Sequence, residues 1–378
     1  MLMAGSGGVP DHERVSSSSG PSGPGRSDAG RSDAAPGVSG IIGREAETAA
    51  IRRMIGKARL VTITGLPGVG KSAAAMTAAR TARGRFRDGV YLIPLDALQD
   101  EALLPHAIAA ALLLPDTFTA SPLAGLAAYL ADKRMLLLLD TCEHMIGSVA
   151  MVTSAIGQAC PGVHILATSR EPLRVPGEQT LAVGPLAADE AVALLMRNGP
   201  TLAPSEAVSL RLIARKLDRL PLALGMAARE LTCQEPGGAD ALLARLDDGY
   251  DFLADPDALV PRHRSLAAAI GWSHQLCTPA ERLLWARVAV FDGAFCVAAC
   301  QEVCANTRLS ASDVAHGISL LAERSLLLHQ AGDPPMFTMP STIRDYGMTM
   351  LRRLAEEDEV RSRYRRWRAG PRQAVCWQ

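Results

Sequence analysis

The sequence predicts an α/β fold built on a parallel sheet, followed by a helical region and then a smaller mixed region. Three observations carry this expectation. Strand-length apolar runs ("GVYLIPL", "RMLLLLD", "VHILATS") alternate with helical patterns between about residues 41 and 185. One of them, "RMLLLLD", stays apolar until it closes on Asp140, as a strand buried on both faces does when it delivers an acid to the ligand edge of its sheet. Beyond Pro185 the strand signals fade and "LAADEAVALLM", "SLRLIARKLDRLPLALGMAARELT" and "DALLARLDD" read as helices.

Taken in order, the first element is a leader. Residues 1–40 are dominated by Gly, Ser and Pro and lack an apolar stretch, which predicts disorder. The leader has neither the basic start nor the apolar middle of a secretory signal, so a cytoplasmic protein with no membrane span is expected. "IIGREAETAAIRRMI" then offers Gly43 and Arg44 ahead of helical periodicity at Ala46, Ala50, Ile51 and Met54.

The most specific stretch follows. "ITGLPGVGKSAAA" sets a strand against a glycine-rich turn and an alanine-rich helix, with Gly65, four residues, then Gly70, Lys71 and Ser72. Lys71 is one of only four lysines in an arginine-rich chain. The spelling fits the phosphate-binding loop G-x-x-x-x-G-K-[ST]. Gly65, Gly68 and Gly70 allow left-handed backbone, so that N–H groups can converge on a β-phosphate. Lys71 adds a point charge, Ser72 offers a hydroxyl to Mg²⁺, and the helix beginning here points its positive end at the anion. A plain glycine turn explains neither Lys71 nor Ser72.

A buried strand "GVYLIPL" and a helix around Leu103 to Leu114 come next, and then Asp140, expected to hold Mg²⁺ through water. The strand Val163–Thr168 brings Thr168, Ser169 and Arg170 to the same edge, with Arg170 aimed at a γ-phosphate. In the helical region Asp189 is placed as a start cap, and residues 218–221 as a break. Helices at Ser265–Leu276 and Pro279–Val288, a cysteine-bearing helix, and strands "SLLLHQ" and "MFTMP" around a Gly-Asp-Pro turn suggest a winged helix.

Aromatic residues make up 4% of the 378, so aliphatic, alanine-rich cores are expected, and a formal net charge of +0 does not mark a nucleic-acid binder. Cys296, Cys300 and Cys304, four apart, read as a buried helix stripe rather than a metal site, and thiols are expected to stay free in a reducing compartment. The end, "RSRYRRWRAGPRQAVCWQ", reads as a truncated repeat helix with a solvated tail, in preference to a nucleic-acid tail.

With these landmarks in order ("IIGREAE", "GLPGVGKS", "LLLLDTCEH", "ILATSREPLRVPGE", "RLPLAL", "RHRSLAAAIGWSHQL", "ERSLL", "TIRDYG"), the chain resembles the STAND signal-transduction ATPases, in particular the NB-ARC-like core of bacterial LuxR-type transcriptional regulators. The match covers about residues 41–354. The resemblance implies a nucleotide-binding domain at 41–185, a helical lid at 186–258, a winged-helix-like domain at 259–354 and a tail at 355–378. It implies ATP/ADP and Mg²⁺ as ligands, with Gly43 and Arg44 near the adenine and Pro221 covering it. Lys71 and Ser72 would bind phosphate and metal, Asp140 would support the metal, and Arg170 would sense the γ-phosphate. Arg219, Gly225 and Thr141 depart from the family's usual residues.

The expected function is a slow ATP/ADP switch with protein partners or self-association on activation, and with DNA contacted only through a module not evident in this chain. The competing readings are a faster ATPase or kinase and a direct DNA-binding winged helix. Thr141 stands where a fast hydrolase often places a water-activating carboxylate, and Glu143 is the nearby candidate for that task.

Overall fold

The computed structural model describes residues 41–114, 121–197, 206–232, 238–330 and 332–370. The expected leader and the last residues of the tail lie outside them. In the first half, α1 (Glu45–Ile55), β1 (Leu60–Thr64), α2 (Lys71–Ala82), β2 (Val90–Pro94), α3 (Leu104–Ala111), α4 (Pro122–Leu130), β3 (Leu136–Asp140), α5 (Ile146–Ala159), β4 (His164–Thr168) and β5 (Glu178–Ala182) alternate in the predicted manner.

The five strands form one parallel sheet in the order β2-β3-β4-β1-β5. Alternation along β3 separates two apolar layers, because successive side chains of a strand point to opposite faces. Leu137 and Leu139 join Ile108, Leu126 and Val152 from α3, α4 and α5. Leu136 and Leu138 join Ile51 of α1 and Ala74, Ala75, Ala78 and Ala79 of α2 on the other face. Alanines line the buried side of α2, and their small size lets the helix that starts at the glycine loop lie close to the sheet.

Two strands differ from expectation. β2 was expected to be buried, yet it is an edge strand with Leu92 44% exposed, since no further strand among the described residues pairs outside it. β5 carries Glu178, Gln179 and Thr180 and has no apolar alternation to announce it, yet it pairs with β1 from Leu60↔Glu178 to Thr64↔Ala182. Backbone hydrogen bonds recruit it where side chains give no signal.

Among the described residues four α-helices follow: α6 (Ala188–Arg197), α7 (Ala207–Lys216), α8 (Pro221–Thr232) and α9 (Gly238–Asp248). The break at 218–221 is present, with Asp218 and Arg219 both at positive φ. Asp189 lies in the first turn of α6 rather than capping it; the Glu190 carboxylate accepts the Ala187 N–H at 2.8 Å instead.

The last part holds α10 (Leu266–Gln275), α11 (Pro279–Val288), β6 (Phe295–Cys296), α12 (Val297–Cys304), α13 (Ala311–Glu323), β7 (Leu328–Gln330), β8 (Met336–Thr338), α14 (Ser341–Arg353) and α15 (Glu357–Ala369). β6 was not anticipated. At two residues it is too short for any periodicity, and it completes an antiparallel sheet β6-β8-β7. Thr278 and Ser310 form reciprocal capping boxes at the starts of α11 and α13. Trp285 is fully buried and donates to the Ile343 carbonyl at 3.1 Å.

Cys300 and Cys304 are buried and free, as the stripe reading requires, and no metal-competent cluster occurs among the described residues. Cys296 corrects the expectation of free thiols, being disulfide-bonded; spatial approach decides such pairing, and sequence spacing does not report it. Tyr364 and Trp367 pack on Phe291, with ring centroids 5.0 and 5.9 Å away, so packing accounts for the aromatic interleaving of the basic helix. No helix among the described residues is long and apolar enough to cross a membrane.

Candidate functional site

The glycine loop adopts the backbone its spelling demands. Gly65, Gly68 and Gly70 sit at φ of +147°, +73° and +92°, the left-handed side where a Cβ is disfavoured. Two also face close neighbours: a Cβ on Gly65 would lie 2.4 Å from the Val183 carbonyl oxygen, and one on Gly68 2.9 Å from the Leu222 Cβ. The second contact shows where the helical region begins to matter. The Leu222 N–H donates to the Gly68 carbonyl at 3.1 Å, so the first turn of α8 is bonded to the loop.

α2 starts at Lys71 with Gly70 as its N-cap, leaving its first N–H groups directed at the loop. Lys71 Nζ donates to the carbonyls of Gly65 and Leu66 at 2.8 and 3.0 Å. Burial pushes its pKa down to about 8; the carboxylates of Glu143 and Asp140 oppose the shift, and Arg170 and Arg262 add to it.

At the carboxyl ends of β3 and β4, Asp140 Oδ1 accepts the Thr168 hydroxyl at 2.6 Å, and the Thr168 oxygen accepts the Thr141 N–H at 2.9 Å. Thr141 has φ +69°, a conformation rare for a β-branched residue, so the turn after β3 is held under backbone strain. Arg170 Nε pairs with Glu143 Oε1 at 3.2 Å, both side chains at most 10% exposed. Burial works to raise the Glu143 pKa, but Arg170 and Lys71 outweigh it and hold the carboxyl below its ordinary value. Burial lowers the Arg170 pKa, with Glu143 opposing.

These groups border a cleft of about 370 Å³. Its wall includes Gly68, Gly70, Lys71, Ser72, Glu143 and Arg170 from the predicted set, and Pro221 from the start of α8. Asp140 and Gly65 are just off the wall, one residue before Thr141 and two residues before Pro67 respectively. Gly43 and Arg44 are elsewhere. Arg44 is buried and donates to the carbonyls of Val69 and Gly184 at 2.8 and 2.7 Å, bracing the loop from behind. Gly43, at φ +73°, lies under the Glu190 side chain.

Thr168, expected at this edge, is on the wall, and two residues not singled out beforehand join it: Arg262 and His263, from the 3-10 turn Pro261–His263 just before α10. Their signal was the stretch "RHRS", visible as a motif but silent about where it folds. Burial, then Arg262, lowers the His263 pKa. The oxygen donors Ser72 and Asp140 are of the hard kind that suits Mg²⁺.

A convergence of a glycine loop, a helix N-terminus and cationic side chains at the carboxyl edge of a parallel sheet is suited to holding a polyphosphate. No family model matches the chain. Among solved structures, the Walker-type ATPase PABY2304 of Pyrococcus abyssi superposes with a TM-score of 0.56 at 13% identity, covering 82% of this chain and 96% of that one. The fold is therefore that of a P-loop ATPase. Among curated proteins, "Uncharacterized protein Rv0894" of Mycobacterium tuberculosis is 30% identical over 348 residues, 89% of this chain and 88% of its own. The chain belongs to the family of that mycobacterial protein. It is also 33% identical over 324 residues to "Putative HTH-type transcriptional regulator Rv0890c" of the same species, of which it spans 36%. A STAND protein with a tetratricopeptide repeat sensor, PH0952 from Pyrococcus horikoshii, aligns over 87% of the chain at a TM-score of 0.39, too low to carry the assignment to that class.

Proposed function

We propose that the chain is an ATP/ADP-dependent conformational switch of the STAND kind, with an NB-ARC-like core, from a lineage of bacterial transcriptional regulators. One observation supports this best: the cleft is lined by the glycine loop, by the start of α8 and by the turn before α10, so a single ligand touches three successive parts of the chain. In this reading residues 41–185 form the nucleotide-binding domain, 186–258 the lid, and 259–354 a winged-helix-like lever. Lys71 and the loop hold the β- and γ-phosphates, Ser72 and Asp140 hold Mg²⁺, and Pro221 lies against the base. Arg44 reaches the adenine end only through the loop backbone that it braces.

Slow hydrolysis belongs to the same reading. Glu143, three residues past the metal residue, is ion-paired to Arg170 and held below its usual pKa, which leaves a weak base for activating water. Arg170 is the γ-phosphate sensor, released from Glu143 when ATP binds. DNA recognition falls to another module, consistent with the helix-turn-helix name of the longer relative.

Calorimetry of the purified chain with ATP and ADP tests the proposal. Wild type binds both, Lys71→Ala loses about 1.5 to 3 kcal/mol or more, and turnover stays on the order of one per minute, far below the enzyme median near ~10 per second. Unchanged affinity in Lys71→Ala removes the phosphate assignment. Turnover of several per second by the isolated chain removes the switch.

A further inference from the structure

Arg262 lies outside the parallel sheet's own sequence, in the turn that leads into α10, yet its side chain is on the wall of the cleft with Lys71, Ser72 and Arg170. It is 16% exposed and forks between two groups at the sheet's carboxyl edge. One terminal nitrogen pairs with Asp96, just after β2, at 3.3 Å; the other donates to the Thr141 hydroxyl, just after β3, at 2.9 Å. Asp96 is not on the cleft wall, whereas Thr141 is. Among the described residues, the wall carries three permanent or near-permanent cations, Lys71, Arg170 and Arg262, against one carboxylate, Glu143. Its charge is felt at Lys71, Glu143 and Arg170 alike. Asp96 and Asp140, just off the wall, balance this charge, so the excess of cations is on the face open to a ligand.

We propose that Arg262 is a phosphate-binding residue of the nucleotide cleft, and that a nucleoside triphosphate draws its guanidinium away from the Asp96 carboxylate. The inference rests on the nucleotide reading above and adds a ligand group from the chain's last part to it. A planar guanidinium suits this exchange, because the fork that spans a carboxylate and a hydroxyl fits two oxygens of a phosphate equally well. The consequence is mechanical. The Thr141 hydroxyl loses its bond to Arg262, and the turn before α10 becomes tied to the ligand instead of to the sheet edge.

The experiment is calorimetry with Mg-ATP and Mg-ADP on the whole chain, comparing wild type with Arg262→Gln, Arg262→Lys and Asp96→Asn, and with thermal unfolding recorded for each variant without nucleotide. Arg262→Gln is expected to weaken ATP binding about 10- to 100-fold, the range for one hydrogen bond to a charged group, and Arg262→Lys to recover part of it. Asp96→Asn, which removes the competing carboxylate, should bind ATP as tightly as wild type or several-fold tighter. If Arg262 only bolts the turn to the sheet, Arg262→Gln and Asp96→Asn behave alike, both lowering the unfolding temperature and leaving ATP affinity as in wild type, and the proposal fails. If wild type itself binds no nucleotide, it is the nucleotide reading that fails first. Loss of affinity in Arg262→Gln together with an equal loss in Asp96→Asn also overturns the proposal, since it makes the ion pair, not the free arginine, the requirement.

Discussion

Lys71 and Arg170 show how the cleft sets its charges before any ligand arrives. With its pKa lowered to about 8, mainly by burial, Lys71 is protonated at neutral pH and neutral above it. A phosphate beside the ammonium favours the charged form, so binding above this pKa must take up a proton. ATP affinity is therefore expected to be level below about pH 7 and to fall above pH 8 by up to about tenfold per unit. Titration calorimetry in buffers of different ionisation heat measures the uptake directly, and a flat profile to pH 9 would remove the link to Lys71. Arg170 carries the second prediction. Arg170→Ala leaves the buried Glu143 carboxylate unpaired, a loss of about 3 to 5 kcal/mol in stability for broken buried pairs. Adding Glu143→Gln removes the stranded charge and should restore most of it, as chemical denaturation would report. In that stable double variant ATP should weaken by about 1.5 to 3 kcal/mol while ADP hardly changes; equal loss of both would make Arg170 a structural residue.

At the scale of elements, the start of α14 depends on a residue far away in sequence. Pro340, its N-cap, makes no side-chain cap bond. Asp218, between α7 and α8, accepts instead the N–H groups of Ser341 and Thr342 at 2.8 and 2.7 Å and the Thr342 hydroxyl at 2.7 Å. The cap is thus supplied from across the molecule, three residues ahead of Pro221 in the cleft wall. Burial raises the Asp218 pKa although these donors oppose it. A raised carboxyl pKa means that the folded state holds the proton more tightly than the unfolded one, so this group's contribution is greatest at low pH and declines as pH rises through the folded value. Asp218→Ala should cost about 1 to 2 kcal/mol, the range for a lost cap. Asp218→Asn, which keeps an acceptor and loses the buried charge, should cost less. Denaturation midpoints of the two variants give the comparison, and equal losses would show that the charge, not the acceptor, holds α14.

Across the whole described structure, the last part grips the same sheet edge at several points. Ser325 donates through its hydroxyl to the carbonyl of Arg170 at 2.8 Å, Arg174 pairs with Glu323 at 2.5 Å, and the His144 and Trp272 rings meet edge to face at 5.9 Å. Arg170, the proposed phosphate sensor, is therefore held by its backbone to the turn after α13. ATP and ADP should differ in how they set this grip, because a ligand shifts a two-state protein only by its differential affinity for the two states. Leu259, 91% exposed in the segment leading to Arg262, is a site where thermolysin can report the difference. Cleavage there is expected to change several-fold between ATP and ADP in wild type and to be indifferent to nucleotide in Lys71→Ala. Identical rates with ATP and ADP in wild type would count against the switch.

The glycine loop, the acid at the end of β3 and the cluster after β4 were legible in the sequence because each is local. Left-handed glycines, an apolar run ending in Asp140, and a strand ending in Thr168, Ser169 and Arg170 are written within a few residues of one another, and the chain has little choice about their geometry. The alternation of strand and helix that gives the parallel sheet is local in the same sense. What the tertiary structure alone decided is partnership at a distance. β5 has too little apolar pattern to announce itself and is recruited through backbone hydrogen bonds to β1. Arg44 is committed to loop carbonyls by a fold that brings Val69 and Gly184 to it. Glu143 and Arg170 neutralise each other because two strand ends are adjacent in the sheet, and Asp218 caps a helix that begins 123 residues later. Arg262 reaches the cleft for the same reason: the distance between two side chains is set by the packing of whole elements, and no spacing along the chain encodes it.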